Sequence, residues 1–93
     1  MRLEDYEVEA IKNVVNKYDE NAQVYLFGSR TDETKRGGDI DLLIISDILT
    51  FNEKRKIRLD LYKRLGEQKI DIIITKEIRG AFIKLAYEQG VRL

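Results

Sequence analysis

Two apolar segments that each carry aspartate at or near their start limit the possible folds of this chain more than any other feature. Residues 39–46 read Asp-Ile-Asp-Leu-Leu-Ile-Ile-Ser, and residues 70–75 read Ile-Asp-Ile-Ile-Ile-Thr. A strand that is apolar on both faces must be covered on both sides, which is typical of the inside of a sheet. The two segments therefore predict buried strands of a small β-sheet that carries helices.

The remaining pattern predicts the other elements of a single domain over residues 1–93. Thr50 and Glu53 form a helix-start signal, and that helix is expected to stop at Gly66. Further helices are expected over 6–18 and 76–89, a short one after Ser29, a turn over 35–38 and a strand over 24–27. We predict an α+β fold in which a small mixed β-sheet carries its helices mainly on one face.

The composition excludes several kinds of chemistry. The 93 residues include no cysteine and no histidine, so disulfides, thiolate nucleophiles, histidine bases and the usual zinc sites are ruled out. A metal could bind only through oxygen ligands, which favours Mg²⁺, Mn²⁺ or Ca²⁺. Seventeen basic and seventeen acidic residues give no net charge, so direct nucleic-acid binding is not expected. No apolar run is long enough for a membrane span, and we expect a cytoplasmic protein.

The aspartates inside the apolar segments are the first candidate site. Asp39 and Asp41 point to the same face of a strand, about 6.6 Å apart, and Asp71 joins them if the two strands are neighbours. Three nearby carboxylates repel one another unless a cation neutralises them. Two alternatives need no metal: Asp39 is an ordinary turn acid, or basic residues of the helix over 54–64 pair with the acids. We favour a metal.

Gly28, Ser29 and Arg30 form a second candidate site directly after a predicted strand. A glycine allows a ligand to approach the backbone, and free N–H groups at a helix start attract phosphate. The Ser29 hydroxyl and the Arg30 guanidinium can donate to phosphate oxygens. Alone, the motif is also compatible with an ordinary turn, but its spacing from the aspartates favours phosphate binding.

Together, Leu-Phe-Gly-Ser-Arg at 26–30 and Gly-Asp-Ile-Asp-Leu-Leu-Ile at 38–44 resemble the signature of the DNA polymerase β-type nucleotidyltransferase superfamily. The resemblance implies a palm-like fold in which Gly28 and Ser29 hold phosphate. It also implies that Asp39 and Asp41 bind two Mg²⁺ ions, or Mn²⁺, and that Asp71 completes the site. One departure is the loop, which places nine residues between Ser29 and Asp39 where the family usually has ten.

The short chain is most similar to the minimal nucleotidyltransferases, which commonly pair with HEPN-domain toxins. This resemblance implies a protein adenylyltransferase that acts as an antitoxin. It would transfer AMP from ATP, or the equivalent group from another NTP, to a tyrosine of a toxin ribonuclease. The main alternative is a binding module that neutralises its partner by contact without catalysis. A standalone RNA-modifying enzyme and a dehalogenase-like phosphatase fit the charge and the order of acids and apolar residues less well.

Two further groups of residues are expected to have structural roles. The basic residues of the second long helix are interpreted as a solvated face rather than a surface for an acidic partner or for triphosphate. The five tyrosines are expected in the core or at its edge. The tyrosines are Tyr6, Tyr18, Tyr25, Tyr62 and Tyr87.

Overall fold

A computed structural model describes residues 3–28, 39–66 and 68–93 of the chain. In chain order, the elements are α1 (Asp5–Tyr18), β1 (Gln23–Phe27), β2 (Ile40–Ile45), α2 (Phe51–Leu65), β3 (Ile70–Thr75), α3 (Ala81–Gln89) and β4 (Val91–Arg92). This arrangement confirms the predicted α+β fold. The short helix predicted after Ser29 and the turn predicted over 35–38 lie outside the described residues.

The four described strands form one mixed sheet in the order β3-β2-β1-β4. Strands β2 and β3 are parallel, because α2 connects them, whereas β1 runs antiparallel to both β2 and β4. Strand β4 was not predicted. It has only two residues, which is too short for an alternation of apolar and polar side chains to be recognised.

The sheet separates two unequal cores. On one face, α1 and α2 cover a large cluster in which many side chains are fully buried, and on the other face α3 covers a smaller one. The larger cluster includes Ile11, Val14, Val15, Leu26, Ile40, Leu42, Ile44, Ile57 and Leu61. The smaller one contains Tyr25, Leu43 and Ala86. Two of the three described helices thus share one face, as predicted. The aspartates lie on the other face, which α3 covers.

Helix α2 begins and ends where the sequence predicted. A carboxylate oxygen of Glu53 accepts hydrogen bonds from the backbone N–H of Thr50 at 2.8 Å and from its hydroxyl at 2.7 Å. The helix ends at Gly66, whose φ of 82° lies outside the helical region. These local signals suffice because they do not depend on the rest of the fold.

The predicted start of the last helix is wrong. The structure begins α3 at Ala81, not at Lys76, because Gly80 has a φ of 83° that lies outside the helical region. Upstream of it, the Thr75 hydroxyl donates a hydrogen bond to the backbone oxygen of Glu77 at 2.7 Å. The expected core position of Tyr6 is also wrong, since this residue is 63% exposed.

A buried polar network joins the end of β2 to the turn after α1. The Ser46 hydroxyl donates to a carboxylate oxygen of Asp19 at 2.5 Å, and it accepts hydrogen bonds from the backbone N–H groups of Ile48 and Leu49. The second oxygen of Asp19 accepts from the N–H of Asn21 at 2.9 Å. The network therefore satisfies a carboxylate that would otherwise be costly to bury.

Candidate active site

A row of three residues crosses the sheet on the face covered by α3. Asp71 of β3 is the register partner of Asp41 in β2, and Asp41 is in turn the partner of Phe27 in β1. Strands lie about 4.8 Å apart, so paired residues of adjacent strands have neighbouring side chains. The parallel register of β2 and β3 thus places two carboxylates side by side.

The electrostatic environment of Asp41 is unfavourable for its negative charge. Partial burial raises the pKa of the Asp41 carboxyl above its usual range, and the charges of Asp71 and Asp39 raise it further. A hydrogen bond with Asp71 acts in the same direction, while the Lys69 ammonium opposes these effects. The structure therefore brings Asp39, Asp41 and Asp71 close enough to interact.

Asp39 lies next to a cation that the sequence analysis missed. The Lys69 ammonium is 3.5 Å from a carboxylate oxygen of Asp39, whose side chain remains 43% exposed. The pair follows from the register, because Ile40 is opposite Ile70 and each charged residue directly precedes its strand. In the described part of the chain, the ion pair that Asp39 makes is with this lysine, directly before β3, and not with a basic residue of α2.

Gly28 lies against Asp41 where β1 ends. Its φ of 79° is in the left-handed region, and a Cβ atom added to it would overlap the Oδ2 atom of Asp41. Glycine is therefore required both by the backbone conformation and by the close approach. Ser29 and Arg30, the other predicted phosphate-binding residues, lie outside the described residues.

The donor set fits a hard divalent cation in type and in charge. All three acids offer oxygen ligands, and a cation would neutralise the repulsion that raises the pKa of Asp41. Over residues 3–28, 39–66 and 68–93, however, no three acidic side chains are arranged so that they could hold a metal ion as they stand.

None of the described helices combines the length and apolar character needed to cross a lipid bilayer.

A comparison with curated protein sequences finds no significant match. The family model described as polymerase beta, nucleotidyltransferase matches residues 9–93, which is all but the first eight residues. Such domains use nucleoside triphosphates as substrates and typically require divalent metals. The extent of the match and the paired aspartates agree: this chain belongs to the polymerase beta nucleotidyltransferase family.

Proposed function

We propose that the protein is a Mg²⁺-dependent nucleotidyltransferase that transfers AMP from ATP to a hydroxyl group of a partner protein. The main support is the pairing of Asp41 with Asp71 on adjacent parallel strands, with the backbone of Gly28 against the Asp41 carboxylate. This arrangement brings acidic side chains together beside a backbone segment that allows a phosphate to approach closely.

The proposed reaction exchanges one phosphorus–oxygen bond for another. The acceptor hydroxyl oxygen attacks the α-phosphorus of ATP and forms a new O–P bond. The bond from the α-phosphorus to the oxygen that bridges to the β-phosphate breaks, and pyrophosphate leaves with that electron pair. The hydroxyl proton passes to a base. Our candidate for this base is Asp71, because it lies at the end of the acidic row, on the outer strand β3 of the described sheet.

Asp39, Asp41 and Asp71 are the residues that would hold Mg²⁺, as two ions, or Mn²⁺ in its place. When bound, such ions neutralise charge on the phosphates and align the attacking and leaving oxygens. Gly28, Ser29 and Arg30 would bind the triphosphate through backbone N–H groups, a hydroxyl and a guanidinium. The Lys69 ammonium lies beside the Asp39 carboxylate, at 3.5 Å.

A folded partner protein is the acceptor that suits this chain best. The formal net charge is zero, so the chain has no general electrostatic attraction for a polynucleotide acceptor. In the described sheet, β3 is an outer strand, and Asp71 on it is only partly buried. We propose that the partner is a HEPN-domain toxin ribonuclease and that the transfer inactivates it, as the resemblance to minimal nucleotidyltransferases implies.

The test uses ATP labelled at its α-phosphate, Mg²⁺ and the protein that co-purifies from the native host. We expect label on the partner with the wild type and with Asp47→Asn, an exposed control at the opposite end of β2. The double variant Asp39→Asn with Asp41→Asn should transfer none. Neutralisation of the partner by this double variant at wild-type level would instead establish the contact-only binding module.

A further inference from the structure

A cavity of about 280 Å³ adjoins Gly28 on the face of the sheet that carries the acids. It lies between the end of β1 and α3, and its lining is largely apolar with one amide side chain at its edge. The lining residues are Phe27, Gly28, Phe82, Leu85, Ala86 and Gln89. The acidic row and this cavity share Phe27, which is the register partner of Asp41.

Two aromatic rings form one wall of the cavity. The rings of Phe27 and Phe82 pack edge to face, with centroids 5.9 Å apart and an angle of 84° between their planes. Phe82 is nevertheless 59% exposed, and Leu85 on the next turn of α3 is 51% exposed. The helix thus presents an accessible aromatic ring directly beside the candidate active site.

We propose that this cavity binds the base of the nucleotide substrate, an inference that rests on the proposed function. A nucleobase gains affinity by stacking on an aromatic side chain, whatever its identity. The Gln89 amide offers both a donor and an acceptor, which is what the edge of a base requires. A cavity of this size accommodates a planar base but no folded protein segment.

The position of the cavity agrees with the path of a nucleotide. Gly28 contributes both to the cavity wall and to the contact with Asp41. A base stacked on Phe82 would therefore leave its phosphates directed along the backbone of Gly28 toward the acidic row. Phe82 becomes the residue that orients the nucleoside, and Gln89 the residue that contacts the edge of the base.

The first test uses a fluorophore placed in the cavity. The chain has no tryptophan, so Phe82→Trp introduces a single indole. We expect ATP with Mg²⁺ to quench its emission by stacking, and inorganic tripolyphosphate with Mg²⁺ to leave it unchanged. Phe51→Trp is the matched control, since Phe51 is 70% exposed and begins α2 on the opposite face. Equal quenching by ATP in both variants, or none at Phe82→Trp, would overturn the proposal.

The second test measures affinity in the absence of any acceptor. Phe82→Ala should weaken ATP binding about 5- to 150-fold, as expected for loss of one base–aromatic stack, and leave tripolyphosphate binding unchanged. Phe51→Ala should alter neither. An unchanged ATP affinity, or an equal loss for both ligands, contradicts a base subsite.

These readouts separate this inference from the proposed function. ATP binding that depends on Phe82 with no transfer to any partner would reject the function and keep the subsite. Transfer with ATP binding that does not depend on Phe82 would reject the subsite and keep the function. If Phe82→Ala does not fold, the fluorescence of Phe82→Trp decides.

Discussion

Asp41 and Asp71 are register partners in adjacent parallel strands, so their two carboxylates lie side by side on one face of the sheet. With Asp39 nearby, their repulsion adds to partial burial and raises the pKa of Asp41. The folded state therefore holds the Asp41 proton more tightly than the unfolded state does. Stability consequently falls as the pH rises from the ordinary pKa of 3.8 through the raised value in the folded protein.

Asp41→Asn should remove this loss of stability. In metal-free buffer near pH 7, we expect the Tm of the variant to lie roughly 1 to 4 °C above that of the wild type. The difference should vanish well below pH 3.8, where Asp41 is protonated in both states. Thermal unfolding followed by circular dichroism at several pH values measures this. Asp47→Asn serves as the control, and a variant no more stable than the wild type at neutral pH would contradict the assigned repulsion.

Mg²⁺ should stabilise the wild type if the three acids bind it. At a free concentration ten times the Kd, binding to the folded state alone contributes about 1.4 kcal/mol, which raises the Tm by roughly 6 to 10 °C. A chelator should reverse the effect. Asp47→Asn should respond as the wild type does, and Asp39→Asn with Asp41→Asn should not. An equal rise in the double variant would place the bound ion elsewhere.

Gly28→Ala should impair both stability and transfer. A left-handed φ costs an alanine about 1–2 kcal/mol, and its Cβ would also displace the Asp41 carboxylate. Gly66→Ala is the matched control, because Gly66 has a φ of 82° but nothing within 4 Å of an added Cβ. We expect both variants to lose Tm and only Gly28→Ala to lose activity, by about tenfold or more. Equal activity of the two variants would show that the close approach is unimportant.

Ser46→Ala should destabilise the fold without affecting transfer. It leaves a buried oxygen of Asp19 and two backbone N–H groups without their partner, which costs about 1–3 kcal/mol. The resulting fall in Tm should be at least about 4 °C. Thr75→Val removes an exposed hydrogen bond of 2.7 Å from the Thr75 hydroxyl and should lower the Tm less. Reduced transfer by folded Ser46→Ala protein would contradict the separation of this network from the site.

Most of the fold could be predicted from local signals. The strand over 70–75 has the predicted bounds because its run of apolar residues is unambiguous, and α2 follows its capping box and its terminal glycine. Gly80 is visible in the sequence as a residue unfavourable to a helix, but its φ of 83°, which moves the start of α3 to Ala81, is not. The pairing of β4 with β1 depends on tertiary structure that a two-residue strand does not encode.

For the candidate site, the sequence predicted the acids but not their surroundings. Alternation within a strand placed Asp39 and Asp41 on one face, whereas the position of Asp71 required that the strands be neighbours. The parallel register supplies that condition and also explains why Lys69 lies beside Asp39. The cavity near Phe82 could not be foreseen, because it depends on how α3 packs against the end of β1.

The register of β2 and β3 also has a consequence for folding. The two strands begin alike, with isoleucine followed by aspartate, and continue with aliphatic residues that could pair in several alignments. Sliding either strand by one residue would turn its aspartate into the core beneath α1 and α2, where no water solvates it. The aspartates that we propose as active-site residues thus also raise the free energy of misaligned strand pairings, which favours the correct register during folding.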